Sequence, residues 1–464
     1  MPTECNPGPF DFGSVEGRRV VAGFDGGRVT SDAGALLLGA AAKAIGLIDR
    51  FAACFSDGRS ATDVEHTVTT LVGQRVFGIA LGYEELIDHD QLRHDPVLAT
   101  LAGKLAARRS RCAPLAGKST LNRLEHGTAA EPSRYHKIGH DGDAIARLFV
   151  DLFLDAHSKA PKQIVLDLDA TDDPLHGHQE GRFFHGYYDC YCYLPLYVFC
   201  GRHLLAAKLR RANIDASAGA EAEVARIVGQ IRRRWPRVRI LLRADSGFAR
   251  EELMAWCERS RVDYVFGLAR NDRLVAAIEA EMAEASAECR ATARPARRFK
   301  DLLWSTLSSW SRRRRVIGKA EALPPGDDPR DNPRFIVTSL KPAAADARTL
   351  YERVYCARGE MENRIKECQL DLFADRTSAR SMRANQLRLW FASMAYVLVC
   401  ALRRIGLAHT RFAHATCGTI RLQLLKIGAL VRISIRRIKV AMASAFPHQH
   451  EFALAHALLA NAAR

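Results

Sequence analysis

The stretch that most constrains the fold runs from residue 162 to residue 268, where strand-like and helix-like segments follow one another. It opens with QIVLDLDATDD, in which Ile164, Leu166 and Leu168 lie on one face and the residues between them, Val165, Asp167 and Asp169, on the other, as in a β-strand. Two strand-like runs follow, at 187–200 and 203–213, and then helix and strand patterns alternate twice. The predicted order is β-β-β-α-β-α-β, which indicates an α/β fold built on a central sheet.

Two aspartates stand at the ends of predicted strands in this stretch. Asp169 closes the first strand and Asp245 closes the fourth. If these strands are parallel neighbours, both side chains lie at carboxyl ends, where α/β sheets place their sites. Asp167, on the same strand face as Asp169, is the alternative first acid, and the position at the strand end favours Asp169.

A third acid, Glu362, lies in the segment YCARGEMENRIKECQ, residues 355–369, which we interpret as a helix. Helical spacing places two sets of side chains on separate stripes. The polar stripe consists of Tyr355, Arg358, Glu362, Lys366 and Gln369. The apolar stripe consists of Met361, Ile365, Cys368 and Leu372. The apolar stripe is a face for a core. The polar stripe is either a functional face or a solvated face with ordinary i,i+4 ion pairs.

Convergence of the three acids predicts a metal site. Carboxylates that share a site repel one another unless cations are present. Oxygen-only ligands fit Mg²⁺ or Mn²⁺. We expect two such ions, spaced about 3.5–4 Å, because a two-metal site suits an in-line phosphoryl displacement.

Four separated motifs carry a resemblance to a known family: DHDQLRHDP (88–96), LDLDATDDPLHGHQEG (166–181), LLRADSGF (241–248) and YCARGEMENRIKE (355–367). With the predicted strand order they resemble DDE-type insertion-sequence transposases that have a Tyr-Arg-Glu-Lys signature, within insertion-sequence family 1380. This resemblance implies a ribonuclease-H-like catalytic core interrupted by a β-rich insertion. It also implies that Asp169, Asp245 and Glu362 are the catalytic, metal-binding triad.

The same resemblance assigns DNA-binding roles. Tyr355 and Arg358 would position the DNA end or its phosphates, and Trp304 or Trp310, in the β-rich insertion, would stack on a base. For each tryptophan the alternative is a place in the core of a small β module. The signature lysine is Gln369 in this chain, and Lys366, one turn earlier on the same face, would substitute for it.

The net charge of +16 favours a polyanionic partner. The resemblance implies that this partner is double-stranded DNA, both as element ends and as target, and that the chain forms a homodimer in the DNA complex. No membrane association is expected, because the longest apolar run, 389–402, is too short to span and suits a buried helix. The start of the chain shows no export signal, so we expect a location in the bacterial cytoplasm, on DNA.

The predicted domains follow these patterns. They are a mainly helical N-terminal region that is a candidate for DNA-end binding (1–155), a catalytic core (160–269 and 346–405), a β-rich insertion (270–345) and a basic C-terminal region (406–464). The predicted function is cut-and-paste DNA transposition: metal-dependent cleavage at inverted-repeat ends, followed by strand transfer. The alternatives are an inactive DNA-end-binding protein, which the replacement of the signature lysine leaves open, and a metal-dependent DNA nuclease.

Overall fold

The computed structural model describes residues 9–127, 136–324 and 330–463. Two units can be separated by their internal contacts, one formed by residues 142–370 and 374–393, the other by 1–141, 371–373 and 394–464. We call the first the sheet unit and the second the terminal unit. The domain boundaries expected from the sequence stay a prediction.

The strands, in chain order, are β1 Phe10–Val15, β2 Arg18–Ala22, β3 Val29–Thr30, β4 Phe55–Asp57, β5 Ile138–His140, β6 Gln163–Ala170, β7 Asp173–Pro174, β8 Phe183–His185, β9 Cys190–Tyr193, β10 Leu196–Cys200, β11 His203–Lys208, β12 Arg239–Ala244, β13 Asp263–Leu268, β14 Ala296–Trp304, β15 Arg314–Leu323, β16 Arg330–Asp331, β17 Arg334–Thr338, β18 Ala429–Ile433 and β19 Ile438–Met442.

The α-helices are α1 Leu36–Ile45, α2 Leu47–Ala52, α3 Val68–Ala80, α4 His89–Leu92, α5 Pro96–Leu101, α6 Lys118–Glu125, α7 Gly142–Asp155, α8 Ala220–Arg234, α9 Glu251–Arg259, α10 Asp272–Ala276, α11 Glu279–Thr292, α12 Ala347–Thr349, α13 Gly359–Lys366, α14 Met382–Ile405, α15 Cys417–Ile420 and α16 Gln449–Ala462. Short 3₁₀ segments are Ala33–Ala35, Leu86–Asp88, Ser246–Phe248 and Cys356–Arg358, and π segments are Leu350–Tyr355, Glu367–Asp371 and Arg421–Leu425.

The sheet unit is built on one mixed sheet with the strand order β11-β10-β6-β12-β13-β17-β15-β14. Its β-β-β-α-β-α-β part runs from β6 through β10, β11, α8, β12 and α9 to β13, which confirms the predicted order. Strands β6 and β12 are parallel neighbours, and β13 lies parallel to β12 on the other side. Buried apolar side chains of β6, β12 and both helices form one core cluster, including Leu166, Leu242, Ile227 and Leu253.

One predicted strand is two strands in the structure. The run 187–200 divides into β9, which pairs with β7 and β8 in a small sheet, and β10, which pairs with β6 in the large one. The break falls at Leu194-Pro195. Proline has no backbone N–H to donate to a strand ladder, and it restricts the residue before it.

The segment 270–345, expected to be a β-rich insertion, contains strands β14 to β17, and its long strands are not a separate sheet. Strand β17 pairs antiparallel with β13, β15 pairs with β17, and β14 pairs with β15. They therefore extend the sheet that carries β6 and β12. Sequence periodicity predicts the strands, whereas their pairing partners are set by contacts between distant segments.

Two residues of the motif DHDQLRHDP, His89 and Asp95, have hydrogen-bond partners within the terminal unit. His89 is fully buried, and its Nδ1 lies 3.0 Å from Gln74 Nε2; the same Gln74 amide also bonds both backbone groups of Ala116. Asp95 caps helix α5 by accepting from Val97 and Leu98. The histidine and Asp95 in this motif thus have structural partners.

Near the N-terminus, the sequence predicts two short strands around an Asp-Gly-Gly turn in residues 18–30, and an N-cap at Ser31-Asp32 for the apolar helix that follows. Strands β2 and β3 do not form the hairpin expected around the Asp-Gly-Gly turn, since β2 pairs with β1 and β3 pairs with β18. Asp32 makes no side-chain cap for the helix that follows. Its carboxylate instead pairs with Lys426 at 2.7 Å and accepts from the hydroxyl of Tyr83 at 2.8 Å.

In the C-terminal part, the alternation in VRISIRRIKV (431–440) predicts a strand, with a helix as the alternative, and a long buried helix is predicted over 384–405. VRISIRRIKV forms most of the antiparallel hairpin of β18 and β19. Helix α14, expected over 384–405, begins at Met382. Within the described residues it is the one helix long and apolar enough to cross a membrane, yet 72% of that apolar window is buried inside the protein. That burial is typical of a core helix.

Candidate functional site

Two of the predicted acids lie where neighbouring parallel strands end. Asp169 is the last residue but one of β6, and Asp245 directly follows β12. The Asp245 carboxylate accepts a hydrogen bond of 2.9 Å from the backbone N–H of Gly247, which begins the turn after the strand. The parallel pairing of β6 and β12 brings both acids to the same edge of the sheet.

The segment that carries Glu362 is helical but not one regular α-helix. A π segment ends at Tyr355, a 3₁₀ turn contains Arg358, α13 carries Glu362, and a second π segment contains Gln369. Each change of helix type alters the angle between successive side chains, and π segments are frequent at functional sites. The apolar stripe is nevertheless confirmed, because Met361, Ile365, Cys368 and Leu372 are all buried.

Arg358 connects two of the three acids. Its Nη1 donates to Asp169 Oδ2 at 2.9 Å, and its Nη2 donates to Glu362 Oε1 at 3.3 Å. The side chains of Arg358 and Asp169 are 16% and 12% exposed, whereas Glu362 is 52% exposed. The polar stripe is therefore not the fully solvated face of the alternative interpretation, because Arg358 turns inward to a strand-end acid.

The electrostatics reflect this arrangement. Burial raises the pKa of Asp169 to about 6; Arg358 opposes the rise, while Asp245 and Glu362 add to it. Burial lowers the pKa of Arg358, but the surrounding acids, led by Asp169, outweigh it and the pKa lies above its ordinary value. The acids thus interact with one another and share one cation.

The three acids line one cavity of about 540 Å³. Lys366 and Gln369 also line it, as do Ser246 and Gly247 after β12. Lys366 is exposed and has no ion pair with any residue the structure describes. Gln369 Nε2 donates to the carbonyl oxygen of Asp172 at 3.0 Å, so this side chain is held to the loop after β6.

Asp167, the alternative first acid, has a different environment. It lies opposite Arg243 in the register of β6 and β12 and is 2% exposed. Arg243 binds it through two nitrogens, at 2.6 and 2.9 Å, and donates a third bond to the carbonyl of Val354. Arg243 therefore connects β6 and β12 to Val354, in the π segment that ends at Tyr355. The choice of Asp169 stays a prediction, and this pairing favours it.

Tyr355 is not among the residues that line the cavity. A Cβ built on Gly267 of β13 would stand 2.6 Å from the Tyr355 hydroxyl and 2.8 Å from the Ser246 amide nitrogen. Burial raises the pKa of Tyr355; Arg358 lowers it and Asp245 raises it. The absence of a side chain at Gly267 thus makes room for the phenol beside Asp245. Sequence analysis missed Gly267, whose only signal is a glycine inside a strand.

The two tryptophans do not line this cavity. Both are partly buried and pack against the main core cluster of the sheet unit. Arg273 lies over the Trp304 ring at 4.5 Å, and Arg314 lies over the Trp310 ring at 5.5 Å. This packing agrees with a place in the core, and base stacking by either ring stays a prediction.

Sequence analysis also missed the wall formed by Tyr188 and His185. Both line the cavity, with their rings 4.9 Å apart, and the Tyr188 hydroxyl donates to the Ala170 carbonyl at 3.4 Å. Burial raises the pKa of Tyr188 above its usual range, and the nearby acids Asp172 and Asp169 add to this. The fold brings this loop to the strand end through the small β7-β9-β8 sheet.

Metal binding can be compared with this geometry. Among the described residues no three His, Cys, Asp or Glu side chains stand close enough together to hold a metal ion. The three predicted ligands that line the cavity, Asp169, Asp245 and Glu362, are nevertheless all carboxylates, the ligand type that Mg²⁺ and Mn²⁺ prefer. Arg358 contacts two of them and provides the positive charge there, so the donor chemistry fits a metal once the guanidinium moves aside.

A family model described as "Transposase DDE domain group 1" matches residues 12–464. The chain belongs to this transposase family. No curated protein matches the chain. Among solved structures, a cryo-EM structure of the piggyBac transposase synaptic complex with hairpin DNA is similar at 10% identity, over 86% of this chain and 80% of that one. The TM-score between the two structures is 0.39.

Proposed function

We propose that the chain is a cut-and-paste DNA transposase of insertion-sequence family 1380, with Asp169, Asp245 and Glu362 as its catalytic triad. Family membership supports the transposase class. The observation that carries the assignment of residues is the convergence of these acids, from β6, the end of β12 and α13, on one cavity. The strand order β11-β10-β6-β12-β13 supports a ribonuclease-H-like core.

The three carboxylates would hold two Mg²⁺ or Mn²⁺ ions. Such ions, when bound, polarise phosphoryl oxygens and make bound water a nucleophile near neutral pH. The chain itself supplies orientation. Gly247 fixes the Asp245 carboxylate through its N–H, and the Met361–Ile365 face of α13 anchors the helix that carries Glu362.

Arg358 and Lys366 are the DNA-binding residues of this site. When Arg358 no longer binds Asp169 and Glu362, its planar guanidinium is available for a bidentate pair of hydrogen bonds to a phosphate. Lys366 is exposed in the cavity wall and offers a second cation to the backbone. Double-stranded DNA is therefore the substrate, as element end and as target, and a homodimer in the bacterial cytoplasm is the acting form.

The test is a gel assay with labelled DNA that carries the sequences flanking the gene, with and without Mg²⁺. The wild type is expected to cut and then join ends. Asp169→Asn, Asp245→Asn and Glu362→Gln are each expected to abolish cutting while end binding stays within a few-fold, because a ligand charge is lost but no DNA contact.

Glu360→Gln is the matched control. Glu360 is a 73% exposed carboxylate on the same helix, paired with Arg364 at 2.7 Å, and it does not line the cavity. Its removal is expected to leave cutting unchanged. Binding without cutting by the wild type would instead identify an end-binding protein, and cutting without joining would identify a nuclease.

A further inference from the structure

The hairpin of β18 and β19 in the terminal unit ends in an apolar side chain surrounded by cations. Ile435, at its tip, is fully exposed, with a relative accessibility of 105%. Arg432, Arg436, Arg437 and Lys439 surround it, and all four are exposed. None of these four side chains forms an ion pair or a hydrogen bond with any residue that the structure describes.

The base of this hairpin is firmly held. Ala429 pairs with Thr30 of β3, and Val431, which is 2% exposed, donates its N–H to the Arg28 carbonyl at 2.8 Å. At the tip, Ser434 N–H donates to the Arg437 carbonyl at 2.9 Å and closes a tight turn around Ile435 and Arg436. The turn at the tip is therefore closed by a backbone hydrogen bond, and the strands behind it are paired with each other and with β3.

Two features of the tip are unfavourable for an isolated protein. Arg432 and Lys439 stand directly opposite each other in the strand register, and like charges at opposed positions destabilise a hairpin. A fully exposed isoleucine at a turn buries no surface. Duplex DNA would remove both costs. Its phosphates would neutralise the cations, and a gap between two base pairs would bury the isoleucine.

We propose that this hairpin is a DNA wedge, in which Ile435 inserts between stacked base pairs from the minor groove while the four flanking cations bind phosphates on both sides. Strands of a hairpin lie about 4.8 Å apart before their side chains are added. The minor groove is about 6 Å wide. The ribbon thus enters only where the groove opens, and an apolar side chain that unstacks one base step opens it by kinking the duplex.

The proposal rests on the proposed function, because it takes DNA as the partner, and it adds the deformation of that DNA. Charge complementarity supports the choice of partner. From Arg403 to the end of the chain there are ten Lys and Arg residues and the single acid Glu451. Membership of a transposase family favours DNA over an anionic lipid surface as this polyanion, and the gap at one base step has the size of one apolar side chain.

The first experiment measures bending. The full chain is mixed with 40-base-pair duplexes that contain the sequences flanking the gene, labelled with a fluorescence energy-transfer pair at the two ends. The wild type is expected to raise transfer efficiency. Ile435→Ser is expected to remove at least half of that rise at saturating protein, and Ile435→Phe to retain it, because a larger apolar side chain still fills the gap.

Ile87→Ser is the matched control. Ile87 is also an exposed isoleucine of the terminal unit, 60% exposed, but its turn contains Glu85 and Asp88, which repel a polyanion. It is expected to bend DNA as the wild type does. Bending by Ile435→Ser at the wild-type level would overturn the wedge.

The second experiment measures the salt dependence of binding. Arg436→Ala/Arg437→Ala is expected to make the log–log slope of affinity against salt shallower by about 1.8, the value for two phosphate contacts. Arg18→Ala/Arg19→Ala is the control, since these neighbouring arginines also lie on an exposed hairpin but pair with Glu16 and Asp11. Equal changes in the two double variants would overturn the phosphate contacts.

The outcomes also separate this proposal from the proposed function. A wild type that binds and bends DNA but never cuts it with Mg²⁺ would contradict the transposase activity and support the wedge. A wild type that cuts and joins DNA, with Ile435→Ser bending normally, would support the activity and contradict the wedge.

Discussion

The guanidinium of Arg358 lies 2.9 Å from Asp169 and at the same time 3.3 Å from Glu362. One arginine thus binds two of the three acids that the proposed function assigns to metal ions. Because the two bonds use different nitrogens, the pairing depends on the planar shape of the guanidinium and not on its charge alone.

Arg358→Lys is expected to lower the rate of DNA cleavage at least tenfold, because an ammonium replaces a two-point fork by a point charge. Arg358→Ala is expected to bind Mn²⁺ more tightly than the wild type in the absence of DNA, measured by calorimetry, since the competing cation is gone. Arg364→Lys is the control, as Arg364 pairs with Glu360 one turn along. A wild-type cleavage rate for Arg358→Lys would show that cleavage does not need the bidentate geometry of the guanidinium.

Gln369→Lys tests the position of the missing signature lysine. Gln369 lines the cavity and bonds the Asp172 carbonyl. A lysine there is expected to tighten binding of terminal DNA and to steepen the salt slope by about 0.9, one phosphate contact. Asn363→Lys adds the same charge at an exposed position of α13 that does not line the cavity. Similar slopes for both variants would remove position 369 from the DNA surface.

Gly267→Ala is expected to impair catalysis more than DNA binding. The new methyl group would meet the Tyr355 hydroxyl at 2.6 Å and the backbone after Asp245 at about the same distance, so the site must shift. Overpacking of this kind typically costs about 1–3 kcal/mol of folding free energy. Thermal unfolding and the cleavage rate check it. Gly229→Ala, where the added Cβ meets no atom within 4 Å, is expected to be neutral or stabilising.

His89 is expected to make the terminal unit less stable in acid. Burial, aided by Arg75 and opposed by Asp90, lowers the pKa of His89 to about 3. In the unfolded chain the pKa of this histidine is near 6.5. At a pH between 6.5 and about 3 the imidazole is therefore protonated in the unfolded chain but not in the folded one, so the free energy of unfolding falls as pH falls. The loss from pH 7 to pH 5 is about 2 kcal/mol.

Denaturant unfolding of the wild type and of His89→Gln at both pH values measures this loss. Gln cannot take up a proton, so its stability is expected to change less between the two pH values. Other titrating groups contribute equally to both proteins. An identical loss in the two would show that His89 is not its source.

Much of the fold follows from local sequence patterns. The alternation of Ile164, Leu166 and Leu168 predicts β6, and the order through β13 follows from similar local periodicities. The apolar stripe of Met361, Ile365 and Cys368 likewise predicts the buried side of α13. These features are local, because the side-chain period of a strand or helix is fixed by backbone geometry.

The pairing of distant segments was decided by the tertiary structure alone. Sequence patterns do not reveal that β17 joins β13, that β3 pairs with β18, or that Pro195 divides one strand between two sheets. Each depends on contacts between residues far apart in the chain, which local periodicity does not encode.

The candidate site likewise depends partly on local sequence patterns and partly on contacts between distant segments. The sequence by itself determined the candidate acids, since position at strand ends and helical spacing single out Asp169, Asp245 and Glu362. The tertiary structure decided what surrounds them: the Arg358 bridge, the pairing of Asp167 with Arg243, and the space at Gly267 for Tyr355. The reason is physical, because the charge and burial of each group depend on neighbours that only the packed sheet brings together.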